Sequence, residues 1–148
     1  MGGVDANTVL CLHLDGADGA TGSQDASYAG ANSPHAITFA GNAQIDTAQS
    51  KFGGASGLFD GTGDKLSLSD SADWYFGTSN FTIEGWIRFN ALPTSGNAMA
   101  VYGQRADSSN LVRYEVYYDG TGYYWQFYTK TGGVQTIYKS SDYVTLAP

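Results

Sequence analysis

The sequence predicts an all-β fold, a sandwich or barrel of about ten short antiparallel strands. Three observations carry this. No apolar stripe of helical period runs longer than one turn. Short alternating or apolar runs are instead separated by clusters of Gly, Asn, Asp and Ser, the pattern of strands joined by turns. The composition agrees: of 148 residues, 20 are Gly, 14% are aromatic and only 14% are charged. That glycine content is roughly twice the average and the charged share is well below it. So many aromatic residues exclude a disordered chain. The length fits one domain with one sizeable core, residues 1–148.

The elements follow in order. The run Thr8–Leu14 (TVLCLHL) reads as a first strand, and Asp15–Pro34 as a loop rich in Gly, Ala, Ser and Asp. Short strands are predicted at Ala36–Phe39, Ala43–Ile45, Gly57–Asp60 and Lys65–Ser69. Asp70–Phe76 reads as a single helical turn with Asp70 or Ser71 as its N-cap. Phe81–Asn90 (FTIEGWIRFN) gives the clearest alternation, with Phe81, Ile83, Gly85, Ile87 and Phe89 on a predicted core face. Further strands are expected at Ala98–Arg105, Leu111–Asp119, Tyr123–Lys130 and Val134–Lys139. Asp119-Gly120-Thr121-Gly122 signals a hairpin between two aromatic strands.

Charge and reactive residues narrow the function. The net charge is -7, and the acids are 12 Asp against only Glu84 and Glu115. Such a field repels a phosphate backbone, and no basic stripe along the sequence offsets it, so a nucleic-acid partner is not expected. Asp favours turns and caps, which places the acids in loops, where they could also offer oxygen ligands to Ca²⁺. Cys11, the single cysteine, sits in an apolar run and reads as a buried thiol. His13 reads as a structural histidine, and no zinc spacing joins His13 or His35 to Cys11. There is no Gly-x-Ser-x-Gly nucleophile motif and no phosphate-binding glycine loop. The start MGGVDANTVLCL lacks a basic n-region and a long apolar run, so it reads as neither a signal peptide nor a membrane span. The expectation is a chain retained in the producing cell until release, or one cut from a longer protein.

One segment stands out as a candidate binding surface. RYEVYYDGTGYYWQFYTK crowds Tyr and Trp into two strands. Alternation separates Tyr114, Val116 and Tyr118 from Arg113, Glu115 and Tyr117. It likewise separates Tyr123, Trp125 and Phe127 from Tyr124, Gln126 and Tyr128. One set is expected in the core. The other, with Arg113, Glu115, Tyr117, Tyr124, Gln126 and Tyr128 near Lys130, forms an amphipathic surface suited to a glycan, whose C–H faces stack on aromatic rings while its hydroxyls bond polar groups. The same rings could instead serve only to pack the hairpin across strands.

Three pieces in their order and spacing resemble a known family: K-F-G-x-A-S-x-x-F-D-G at Lys51–Gly61, D-K-L-S-L at Asp64–Leu68 and F-T-I-E-G-W-I-R-F at Phe81–Phe89. They resemble laminin-G-like domains of the concanavalin A-like lectin and glucanase superfamily, most closely the bacterial and phage versions, over roughly Thr8 to Phe89. The resemblance implies a two-sheet antiparallel jelly-roll sandwich. Members of the family run on through further strands, so this chain is expected to lack its C-terminal strands and to be a fragment, or to have its open edge covered by another chain. The family implies a rim Ca²⁺, for which Asp25 and Asp60 fall on its turn motifs. Its glucanases carry an E-x-D-x-x-E strand, and this chain has none, its two Glu lying 31 positions apart. The resemblance therefore implies a non-catalytic recognition or adhesion module for a glycan or cell-surface polysaccharide, on a virion or cell surface within a larger assembly. The alternatives are a structural virion module making protein contacts only and, last, a glycoside hydrolase.

Overall fold

The computed structural model describes residues 4–27, 29–30 and 33–146. Tyr28, Ala31 and Asn32 of the expected loop lie outside the described residues. The fold class is the expected one: every strand pairs antiparallel, and the described residues contain no α-helix, only one 3₁₀ turn. The chain divides into two compact units, residues 1–84 and 85–148.

In the first unit, β1 (Ile37–Ala40) pairs with β4 (Lys65–Leu68), and β2 (Gln44–Asp46) pairs with β3 (Ser56–Leu58). The unit's apolar centre is Ala43, Ile45 and Ala55, with Ile45 fully buried. Ile45 is also held by the preceding loop: its N–H donates to the Ala20 carbonyl and its carbonyl accepts from Gly19. The turn after β1 needs Gly41, whose φ is +72° and whose missing Cβ makes room for the Asp64 carboxylate. Asp64 then ties two turns together, accepting from the N–H groups of Asn42 and Asp60. The predicted helical turn is the 3₁₀ segment Ala72–Trp74, capped by Ser71, whose hydroxyl accepts from the Asp73 N–H.

Two expected strands form no ladder. Thr8–Leu14 contributes a single bridge, Leu12 to Asp25. Its backbone is satisfied differently: the Cys11 N–H donates to the Asp25 carboxylate at 2.9 Å, while the Cys11 carbonyl accepts from Ala26. Phe81–Asn90 also forms no hydrogen-bonded ladder, and Phe81, Trp86 and Ile87 are exposed. Alternation marks a face, but a strand also needs a neighbour for its N–H and C=O groups, and no described strand runs beside this segment. Traces of the expected packing persist: Ile83 and Phe89 are half-buried. Phe81 stacks on Phe76 at 4.3 Å, and Phe89 lies 6.5 Å from Trp125 between ring centres.

The second unit is a four-stranded meander of β5 (Ala98–Arg105), β6 (Leu111–Tyr118), β7 (Tyr123–Thr131) and β8 (Val134–Lys139). Beyond β8 the chain stays beside β7, with Ser140 donating to Trp125 and Val144 to Tyr123. The expected strand positions hold here to within a residue. A bulge at Val101 shifts the register between Ala100 and Tyr102. Without it, Tyr102 would face Arg113; with it, Gly103 does. The sheet has two unlike faces. One carries Tyr114 stacked on Trp125 at 5.0 Å and Tyr118 stacked on Tyr123 at 4.6 Å. The other carries the polar set described below.

Asp25 links the segments around residues 11, 27 and 35 of the first unit. Its Oδ1 accepts from the N–H groups of Cys11 and Ser27, and its Oδ2 accepts from the Ser27 hydroxyl and the His35 N–H. Asp25→Ala strands three backbone N–H groups at once and is expected to cost about 3 kcal/mol or more, with Asp25→Asn costing roughly half as much. Urea denaturation of the two variants beside the parent measures both. A loss below about 1 kcal/mol for Asp25→Ala would dismiss the linking role.

Candidate functional site

The register of β6 against β7 builds the site. Arg113 faces Tyr128, Glu115 faces Gln126 and Tyr117 faces Tyr124, all on one side of the sheet. On the outer strands, Gly103, Ala100 and Ala98 flank the β6 members, while Ile137 and Lys139 flank Tyr128 and Gln126. The small residues of β5 occupy little space beside the larger side chains of β6. A groove of about 590 Å³ results, lined by Arg113, Glu115, Tyr117, Gln126, Tyr128 and Lys139 together with Gly96–Ala98, Gln135 and Ile137.

Its floor is polar and buried. Glu115 is 1% exposed and Gln126 6%. The Gln126 side-chain amide donates to Glu115 Oε1 at 2.7 Å. Arg113 Nε lies 3.3 Å from Glu115 Oε2, an ion pair whose geometry falls short of a hydrogen bond, so Oε2 has no hydrogen-bond donor. Above the floor, the Arg113 guanidinium covers the Tyr128 ring at 4.7 Å, a cation–π contact, and the Tyr128 hydroxyl donates to Gln135.

Of the six sequence-predicted binding residues, the structure brings Arg113, Glu115, Tyr117, Gln126 and Tyr128 to the groove lining. Tyr124 shares their face but is 8% exposed and turned to the hairpin end. Its hydroxyl donates to Asp119 Oδ2, its ring lies 4.9 Å from that of Tyr143, and the Lys139 ammonium sits 4.2 Å above it. Tyr143 in turn rests on Gly122, where a Cβ would collide with its ring. Sequence reasoning missed Lys139 and the small β5 residues. The signal was available in the parity of Lys139 with Ile137, but only once β8 had been paired with β7.

The two predicted metal residues lie in separate hydrogen-bond networks. Burial alone would raise the Asp25 carboxyl, but the N–H groups of His35, Cys11 and Ser27 outweigh it and hold the pKa below its ordinary value. Asp60 Oδ2 accepts from the Asn42 side chain and Oδ1 from the Thr62 N–H, which lower its pKa. The Asp25 carboxylate thus faces donors, while Asp60 has the Asp64 carboxylate beside it. Among the described residues no group of three or more His, Cys, Asp or Glu could hold a metal ion. Asp25 and Asp60 are thus not brought together in one carboxylate cluster. Elsewhere, burial and the Asp25 charge push the Cys11 thiol up, away from nucleophilic character. His35 pairs with Asp73 at 3.1 Å and packs on Trp74.

An antiparallel sheet with an aromatic-walled, polar-floored groove on one face fits a lectin-like binding module. The laminin-G-type model of the concanavalin A-like lectin/glucanases superfamily matches residues 60–146, more than half of the chain, and the chain belongs to that superfamily. Nothing matches it among curated proteins or among solved structures. No helix among the described residues is long and apolar enough to cross a membrane.

The hairpin at the end of the β6–β7 ladder holds two titratable groups joined by a hydrogen bond, Asp119 and Tyr124. The Tyr124 hydroxyl, with the Gly122 and Thr121 N–H groups, pulls the Asp119 pKa down to about 2. The Asp119 carboxylate, followed by Tyr143, pushes the Tyr124 phenol well above its ordinary value. Asp119's contribution is complete above the ordinary carboxyl pKa of about 4 and is lost as pH falls through the depressed value. Tyr124's is complete below the ordinary phenol pKa of about 10 and is lost as pH rises beyond it. Tyr124→Phe is expected to move the Asp119 midpoint upward, by NMR titration of its side-chain carboxyl. An unmoved midpoint would show that the Tyr124 hydrogen bond does not set it.

Proposed function

We propose that the chain is a non-catalytic recognition module that binds carbohydrate in the groove of the β5–β8 sheet. One observation carries this reading: Glu115 Oε2 is buried in the groove floor between aromatic side chains, ion-paired with Arg113 but holding no hydrogen bond. A buried acceptor left without a hydrogen bond is costly, so the site calls for an incoming donor. A sugar brings hydroxyl donors and apolar C–H faces together, and Tyr117 offers a ring surface for the latter beside the Arg113-covered ring of Tyr128. The non-catalytic reading is supported by the acid count. Glycoside hydrolysis uses a pair of carboxylates, and Glu115 is the one acid in β5–β8. The setting proposed is a phage virion or bacterial surface protein, with the module attached to other chains, its target a cell-surface polysaccharide rather than a nucleic acid or a bilayer.

Glycan-array binding of the whole chain tests the reading. Tyr117→Ala is expected to weaken retention of any bound glycan about tenfold or more, as truncation of a central aromatic anchor does, without shifting the melting temperature. Glu115→Gln should weaken it as well, since the amide replaces an acceptor oxygen with a donor. Binding unchanged in both variants, or no glycan bound by the parent, would return the aromatic residues to hairpin packing alone.

A further inference from the structure

We propose that this groove face selects acidic polysaccharides, glycans carrying carboxylate or sulfate groups along the chain. This rests on the carbohydrate reading above and adds its chemical class. The observation is a segregation of charge that the linear sequence conceals. β5–β8 contain four basic residues, Arg105, Arg113, Lys130 and Lys139. The register puts all four on the groove face: Arg105 opposite Leu111, Leu111 opposite Lys130, Arg113 opposite Tyr128, and Lys139 opposite Gln126. These are four of the seven Lys and Arg in a chain of net charge -7. The opposite face of the same strands has no charged residue.

The cations outnumber the local acid. Glu115 lies against Arg113 alone, at 3.3 Å. Lys139 rests on the Tyr124 ring, a contact that leaves its charge uncompensated. The remaining acids of the sheet's turns stand at its ends: Asp107, whose pKa is held down first by hydrogen bonds from Asn110 and Ser109 and last by the Arg105 charge, and Asp119, engaged with Tyr124. With strands about 4.8 Å apart and same-face neighbours about 6.8 Å apart, each of these cations has its backbone anchor roughly 8–12 Å from that of its nearest neighbour, and the set spans about 20 Å from Arg105 to Lys139. A set spread over this distance matches charges repeated along a polymer better than one compact anion, which could not reach from Arg105 to Lys139. The aromatic walls between them favour a sugar backbone over a bare polyanion. Overall negative charge would repel such a polymer from the rest of the surface, so the face also orients the encounter.

The test uses paired polymers differing only in charge: polygalacturonate against its full methyl ester, and dextran sulfate against dextran, with oligothymidylate as a polyanion lacking this backbone. Affinity electrophoresis of the whole chain at about 0.05 and 0.5 M salt reads the binding. A charged member held about tenfold more tightly than its neutral counterpart, and released at high salt, supports the proposal. The double variant Arg105→Gln/Lys130→Gln keeps side-chain bulk and should shrink that preference roughly three- to tenfold with an unchanged melt. Equal or tighter binding of the neutral members overturns the charge assignment while leaving the carbohydrate reading intact. Tighter binding of oligothymidylate than of either charged polysaccharide overturns it in favour of nucleic acid. If no polymer is held, the proposal falls, and the glycan array decides the groove reading separately.

Discussion

The alignment of β6 against β7 is the constraint on which the groove depends. Because side chains alternate along a strand, a slip of one residue would turn the entire polar set of either strand to the other face. Two features on the same ladder resist that slip. At its closed end, Asp119 accepts from the N–H groups of Thr121 and Gly122 and from Tyr124, which locks the turn length. At its middle, the amide of Gln126 meets the buried carboxylate of Glu115, and a slipped Gln126 would leave that carboxylate facing an apolar neighbour. On the opposite face the Tyr114–Trp125 stack enforces the same alignment through packing. Register, burial and the position of every groove residue are therefore one decision made three times.

The bulge at Val101 shows how finely the same ladder shapes the site. It changes nothing in the order of strands, but it exchanges an aromatic ring for a glycine at the position beside Arg113. The groove is open because β5 presents Ala98, Ala100 and Gly103 to it, and the bulge supplies the last of these. In the first unit a comparable economy appears in Asp25. One carboxylate collects N–H groups from three separate segments, doing for an irregular region what a neighbouring strand does in a sheet.

Much of this was legible in the sequence. The four strands of the second unit were readable because each alternates cleanly and because Asp119-Gly120 marks the turn between two of them. The partition of Tyr, Arg and Glu into two faces follows from the same parity. What the sequence could not convey was partnership. Phe81–Asn90 alternates as well as any strand in the chain, yet alternation reports only which side is apolar, not whether another backbone lies alongside. Thr8–Leu14 likewise looked like a strand, and its Cys11 N–H found a side-chain acceptor instead. The basic face was invisible for a related reason: Arg105, Arg113, Lys130 and Lys139 are spread over four strands, and only the pairing of those strands gathers them. Tyr124 misled in the opposite way, since parity gave its face correctly but could not show its hydroxyl tied to Asp119.

Stability alone does not account for the groove floor. Burying a carboxylate against a guanidinium gains little over an apolar pair of the same volume, because the cost of removing both from water consumes most of their attraction. Here the pair is not even well formed, since the guanidinium Nε lies beside Oε2 without a hydrogen bond, and the third partner, Gln126, satisfies only the other oxygen. An apolar residue at position 115 would pack the sheet without that cost, as Val116 does on the other face. A site left partly unsatisfied, walled by aromatic rings and surrounded by cations in an otherwise acidic chain is organised around groups that arrive from outside. Unpaired charge and unpaired hydrogen-bonding capacity occur on the same face of the same sheet, and a polar, negatively charged polymer of sugars answers both.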